Sequence, residues 1–126
     1  MNYKTLLERA KRAAENSYSP YSGFKVGAAL LLENGDVITG CNAENAAFSP
    51  SICAERAAVA AAVSAGYRHF KAIAIWGGKN PCYPCGVCRQ TLAEFCGGDF
   101  EVILSGADGG IEIHKLTELL PFEFKL

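Results

Sequence analysis

Cys53-Ala54-Glu55-Arg56-Ala57-Ala58-Val59-Ala60-Ala61-Ala62-Val63-Ser64-Ala65-Gly66 is an alanine-rich run that ends on a glycine. Alanine is the strongest helix former and glycine a common stop, so the run predicts a helix from Cys53 to Ala65. After Arg56 nearly every position is apolar. A helix apolar all round must be covered all round. A chain this small cannot easily do that alone, so partner subunits are expected on one side. Upstream, Phe24 to Leu32 and Val37 to Cys41 read as strands joined by a turn at Asn34-Gly35. Downstream, Phe70 to Trp76 lacks alternation, which suggests a strand buried on both faces. A helix set between strands points to an α/β fold. Its crossovers imply parallel pairs in the centre and an antiparallel hairpin at one end.

The remaining elements fit around that unit. Leu6, Leu7, Ala10, Ala13, Ala14 and Tyr18 recur at helical spacing over residues 3 to 18, with Asn2 as an N-cap candidate. Ser19 to Gly23 is a loop. Asn42 to Ser51 is an irregular stretch, polar at its start, where ligand contacts are at home. Cys85 to Phe95 predicts a helix ended by Gly97-Gly98, Glu101 to Leu104 a strand, and Ile111 to His114 the last strand after an Asp108-Gly109-Gly110 turn. Leu116 to Leu120 predicts a short helix before Pro121, and Phe122 to Leu126 a tail.

The chain has 126 residues, which suits one domain over 1–126. Half of it is hydrophobic and a fifth charged, an ordinary globular balance. Formal net charge is −1 with no basic block, which argues against a nucleic-acid partner. No apolar run approaches the ~20 residues that span a bilayer, so no membrane partner is expected. Met1-Asn2-Tyr3-Lys4 leads into a charged helical pattern, and no signal peptide is expected. Six cysteines in that setting predict a reducing, cytoplasmic location and metal binding over disulfides.

Cys85 and Cys88 are three residues apart and face the same way on one helical turn, with Pro84 suited to a helix entry. Cys53 supplies a third sulfur from a second helix start. Three thiolates leave one position of a tetrahedral zinc open, as in catalytic sites. Glu55 is the candidate proton carrier beside it. Alone, Glu55 would be an ordinary first-turn carboxylate favoured by the helix dipole. Residues two apart do not face each other within a helix, so Cys53 and Glu55 can share a site only where the chain is still entering it. Three thiolates leave zinc and its ligands with a net charge of −1. Two helix N-termini and Arg56 are the groups available to offset it.

These residues resemble a known family. Cys53-Ala54-Glu55 with Pro84-Cys85-Gly86-Val87-Cys88-Arg89-Gln90, after Gly40-Cys41-Asn42-Ala43-Glu44-Asn45-Ala46-Ala47, closely resembles the small homotetrameric zinc-dependent cytidine deaminases. Pro20-Tyr21-Ser22 and Phe24-Lys25-Val26-Gly27-Ala28-Ala29 extend the match over essentially the whole chain. A zinc signature of this kind, with His as first ligand, marks the wider deaminase superfamily. Cys53 in that place, with the Asn42–Glu44 segment, narrows the match to the nucleoside branch. The resemblance implies a three-layer α-β-α fold with a mixed five-stranded sheet. It implies hydrolysis of cytidine and deoxycytidine to uridine and deoxyuridine by a zinc-bound hydroxide, with Glu55 shuttling protons, in pyrimidine salvage. It further implies that Cys53, Cys85 and Cys88 hold the zinc and that Arg56 tunes the thiolates.

By the same resemblance, Asn42 and Glu44 hold the ribose 3′-hydroxyl. The main chain of Ala54 meets the pyrimidine, and Phe24 lines the base pocket. Phe124 and Phe48 complete a neighbouring subunit's site in a homotetramer. Two positions depart from the pattern. Phe48 stands where relatives often have Tyr, and Cys82 adds a third sulfur in Cys82-x-x-Cys85-x-x-Cys88. An iron–sulfur run would want a further cysteine where Leu92 stands. Cys41 and Cys96 read as small buried hydrophobes, and His69 and His114 are assigned to no site. Two other readings are a deaminase of another aminopyrimidine nucleoside, of the blasticidin type, and a non-catalytic zinc-stabilised module closed by Cys82.

Overall fold

The computed structural model describes all 126 residues. In chain order they form α1 (Tyr3–Ala14), β1 (Gly27–Leu32), β2 (Val37–Cys41), α2 (Ala54–Ser64), β3 (Phe70–Trp76), α3 (Gly86–Phe95), β4 (Glu101–Ser105), β5 (Ile111–Lys115) and α4 (Leu116–Leu119). The strands make one sheet in the order β2-β1-β3-β4-β5. Side chains alternate across it, as the strand period of two requires. Leu30, Leu32, Ile73, Ile75, Val102 and Leu104 meet Ala58 and Val59 of α2, Leu92 of α3 and Leu116 of α4. Ala29, Leu31, Ala72, Ala74 and Ile103 meet Leu6 and Ala10 of α1 on the other face. Helices therefore cover both faces, and the fold is the expected three-layer α-β-α with a mixed five-stranded sheet. Burying each large aliphatic side chain stabilises it by about 1.5–3 kcal/mol.

The strand directions correct the sequence reading. β1 pairs antiparallel with both β2 and β3, and β3–β4 is the one parallel pair. β4 and β5 form a second antiparallel hairpin, so hairpins flank the sheet at both ends. The α2 crossover does make β2 and β3 parallel to each other, but β1 lies between them.

Two boundaries also move. Phe24 to Val26 stands outside β1, because its backbone is bonded by the side chains of Ser22 and Asn42 as well as by Asn42's N–H. Helix α1 stops at Ala14, and Tyr18 instead exchanges backbone bonds with Asn42 and Glu44.

Helix α2 buries Ala54, Glu55, Ala58, Val59 and Ala62 and leaves Ala60, Ala61 and Ser64 exposed. Its outward face is thus apolar but small. The backbone of α2 lies directly on β2 at Gly40. A Cβ at that position would come within 2.5 Å of the Ala58 nitrogen and 2.7 Å of the Ala54 carbonyl oxygen. Glycine there sets how close the start of α2 comes to the end of β2. No helix is long and apolar enough to cross a membrane.

Candidate metal and active site

Two helix starts converge at the site. Cys53 is the N-cap of α2 and Cys85 the N-cap of α3, both with extended backbone and neither with a side-chain cap bond. Their sulfurs are 3.9 Å apart, and Cys85 Sγ is 3.5 Å from Cys88 Sγ. All three sulfurs lie within 4.8 Å of one another. Zinc bonds sulfur at about 2.3 Å, which in a tetrahedron separates ligand sulfurs by about 3.8 Å. The triangle therefore fits such an ion and leaves it one open position. Cys82 is not part of the triangle, so the fourth thiol of a closed site is missing.

The surroundings prepare the thiols unequally. Burial works against the Cys85 thiolate, but the Cys88 and Val87 N–H groups and the Cys88 and Cys53 thiols outweigh it and lower its pKa. Burial, with the nearby charges of Glu55 and Cys53, pushes the Cys88 thiol well up. A divalent cation reverses that balance, since a coordinating thiol is deprotonated outright. Arg56 Nη2 is 3.5 Å from Cys53 Sγ, and that contact is the main cause of its raised pKa. Its Nε is buried with no partner. The guanidinium thus lies against the sulfur cluster.

Glu55 follows two residues after the Cys53 cap and is only 4% exposed. Burial raises its pKa. Its own backbone N–H, the Cys88 thiol and Arg56 pull the other way. Burial favours its protonated form and these contacts its ionised form, as suits a group that both takes and gives a proton.

A cavity of about 410 Å³ opens beside these groups. It is lined by Cys53, Ala54, Glu55, Arg56 and Cys85, by Phe24, Asn42, Glu44 and Phe48, and also by Val26, Ser51, Ile52, Cys82 and Tyr83. Nine of the eleven expected site residues border it. Cys88 is buried behind its partners, with no exposed surface. Phe124 is not on this cavity and is 70% exposed, held against α3 by Gln90. Phe48 borders the cavity of its own chain and is 91% exposed. A depression of about 480 Å³ on the α1 side shares Phe24 but carries Lys11, Lys25 and Trp76 and none of the sulfurs.

The loop with Asn42 and Glu44 is brought to the site by paired backbone bonds between Ala43 and Ile52, 3.0 Å each. Asn42 Oδ1 accepts from Ser17 Oγ at 2.5 Å and from the Val26 N–H at 3.0 Å, while Nδ2 donates to the Phe24 carbonyl at 2.9 Å. Glu44 accepts from the N–H groups of Tyr21 and Ser22, both at 3.1 Å, and from the Ser22 hydroxyl. These donors, the Ser22 hydroxyl first, hold its pKa below the usual carboxylate range.

Ser22 and Tyr83 had no role in the sequence reading. Ser22 sits in the quoted Pro20-Tyr21-Ser22 run but looked like any turn serine. Tyr83 donates to Glu112 Oε2 at 2.6 Å, and that oxygen also meets His114 Nε2 at 2.9 Å. His114 itself does not line the cavity.

With this geometry in view, comparison with known proteins is direct. The family described as cytidine and deoxycytidylate deaminase zinc-binding region matches residues 1–104. A cytidine deaminase of Sporosarcina psychrophila is 48% identical over 125 residues, covering 98% of this chain and 92% of that one. One from Halalkalibacterium halodurans is 46% identical over 125 residues, covering 98% and 95%. The crystal structure of the cytidine deaminase from Burkholderia pseudomallei superposes with a TM-score of 0.92 at 45% identity, covering 98% of this chain and all of that one. A matched zinc-binding region, a three-sulfur cluster beside a buried carboxyl, and a shared fold over nearly the full length agree: the chain belongs to the cytidine and deoxycytidylate deaminase family.

Proposed function

We propose that this chain hydrolyses cytidine and deoxycytidine to uridine and deoxyuridine, releasing ammonia, as a cytoplasmic enzyme of pyrimidine salvage built from one domain over 1–126. A zinc ion held by Cys53, Cys85 and Cys88 would supply a Lewis acid that makes water nucleophilic at neutral pH. Arg56 would offset the charge of the three thiolates. Glu55 would take a proton from the attacking water, give it to ring N3, and then relay a proton to the departing amine. Each transfer leaves it ready for the next. The observation that carries this reading is the Glu55 carboxyl, buried at the helix start beside the sulfur triangle and raised in pKa.

The polar end of the cavity suits a sugar hydroxyl. Asn42 has both Oδ1 lone pairs and one Nδ2 proton engaged, which leaves one N–H to donate. Glu44, ionised, can only accept. A hydroxyl both donates and accepts, so the ribose 3′-hydroxyl would satisfy both residues at once. A phosphate would meet the Glu44 charge and be repelled, which favours a nucleoside over a nucleotide. The Ala54 main chain and the Phe24 ring would bound the base.

Phe124, exposed and away from its own cavity, fits the expected role in a second subunit's site, and a homotetramer with shared sites would bring it there. Phe48, exposed at the cavity rim, would be covered by the same assembly.

The test is loss of ultraviolet absorbance at the cytidine band when zinc-loaded protein meets cytidine. Full zinc content without turnover would overturn the reading, as would turnover untouched by Glu55→Ala.

A further inference from the structure

Between α1 and β1 the chain crosses the cavity rim without regular structure, and one hydroxyl organises it. Ser22 Oγ accepts from the Phe24 N–H at 2.9 Å and contacts Glu44 Oε2. The proton has one possible placement. An ionised carboxylate cannot donate and a backbone N–H cannot accept, so the Ser22 hydroxyl must donate to Glu44. The Phe24 peptide is then held at both ends, by Ser22 at its N–H and by Asn42 at its carbonyl. Glu44, Ser22, Phe24 and Asn42 form one connected set around the polar half of the cavity. The Ser22 and Tyr21 N–H groups occupy Glu44 Oε1, and the Ser22 hydroxyl occupies Oε2. Both carboxylate oxygens are thus fixed on the loop side; the two lone pairs of Oε1 are taken, and one lone pair of Oε2 is left for a ligand.

We propose that Ser22 is a positioning residue for substrate recognition: its hydroxyl fixes the Glu44 carboxylate to receive a sugar hydroxyl and ties that carboxylate to the Phe24 wall. This rests on the assignment of Glu44 to the sugar made above. Ser22 touches no reacting atom, so its effect belongs in binding. An unfixed Glu44 must be ordered each time substrate binds, and that ordering costs affinity.

The experiment compares cytidine with 2′,3′-dideoxycytidine on zinc-loaded wild type, Ser22→Ala, Ser22→Thr and Glu44→Gln. Ser22 is exposed and its removal leaves no cavity, so the alanine variant keeps the fold. On cytidine, Ser22→Ala is expected to raise KM about tenfold, the size of a lost hydrogen bond to a charged group, with kcat within about twofold. On the dideoxynucleoside the same variant changes KM less than about twofold, because the hydroxyl that Glu44 receives is absent. Ser22→Thr, which keeps the hydroxyl, restores KM on cytidine. Equal losses on both substrates for Ser22→Ala, with the loss for Glu44→Gln confined to cytidine, overturn the role of Ser22 alone. Equal losses for both variants overturn the sugar assignment of Glu44 and the proposal with it.

Discussion

The side-chain amide of Gln90 pairs reciprocally with the backbone of Phe124. Gln90 Nε2 donates to the Phe124 carbonyl at 3.1 Å, and the Phe124 N–H donates to Gln90 Oε1 at 3.0 Å. The amide imitates a neighbouring strand and ties the tail to α3, the helix that carries Cys88. Gln90→Ala removes both bonds. Each is worth about 0.5–1.5 kcal/mol at most, since both are exposed. The expected result is faster proteolysis near Lys125 with zinc content unchanged. An unaltered cleavage rate would show that the pair does not hold the tail.

If Phe124 serves a second subunit, Phe124→Ala raises KM without loss of zinc. A mixed assembly of Glu55→Ala and Phe124→Ala chains then regains activity, because some sites receive an intact Glu55 and a neighbour's intact Phe124. Sedimentation of a fully active monomer would end this idea.

For the metal, zinc analysis should find one ion per chain. Cys85→Ala and Cys88→Ala should abolish it, because two sulfurs cannot hold the ion as three do. Cys82→Ala should leave it in place, since Cys82 lies outside the sulfur triangle. Loss of zinc from Cys82→Ala, with retention in Cys85→Ala, would reverse the ligand assignment.

Glu55→Ala should keep zinc and fold while losing more than the ~10²–10⁴-fold typical of one acid–base step, because one carboxyl serves several transfers. Near-normal turnover of cytidine by that variant would remove Glu55 from the chemistry.

His114 gives a pH signature in stability. Its pKa is raised above 6.5, chiefly by the Glu112 hydrogen bond, so its contribution is complete below about 6.5 and fades as pH rises through the higher folded value. Glu112 and Glu118 have pKa values lowered from 4.5, Glu112 by Tyr83 and then His114, Glu118 by the Lys115 N–H and then His114. Their contributions are complete above about 4.5 and fade as pH falls through the lower folded values. The cluster thus stabilises most between those limits. Melting temperature should fall more from pH 6 to 8 in wild type than in His114→Gln, and the difference should shrink at high salt. Parallel pH profiles would disprove the linkage.

The sulfur triangle and Glu55 were legible because metal ligation and helix entry impose local spacing. Strand direction was less so. The α2 crossover relates β2 to β3, but nothing local says that β1 inserts between them. Phe24 to Val26 has strand-like residues, and it is the bonds from Ser22 and from Asn42, 16 residues beyond Val26, that explain why this segment stands outside the ladder. The Tyr83–Glu112 contact spans 29 residues and the sheet edge, so no spacing announces it. Ser22 was hidden for another reason: a turn serine and a serine orienting a carboxylate look identical until the carboxylate's position is known.

Cys53 and Cys85 both stand where helices usually place Ser, Thr, Asp or Asn, and neither makes a side-chain cap bond. Each helix thus forgoes roughly 1 kcal/mol of capping. With the two sulfurs 3.9 Å apart, α2 and α3 start from one shared cluster. Chemical damage there would be structural damage as well. An alkylating agent or oxidant that captures one sulfur would loosen two helix starts together, so poisoning of the enzyme should leave a trace in circular dichroism even before any substrate is added.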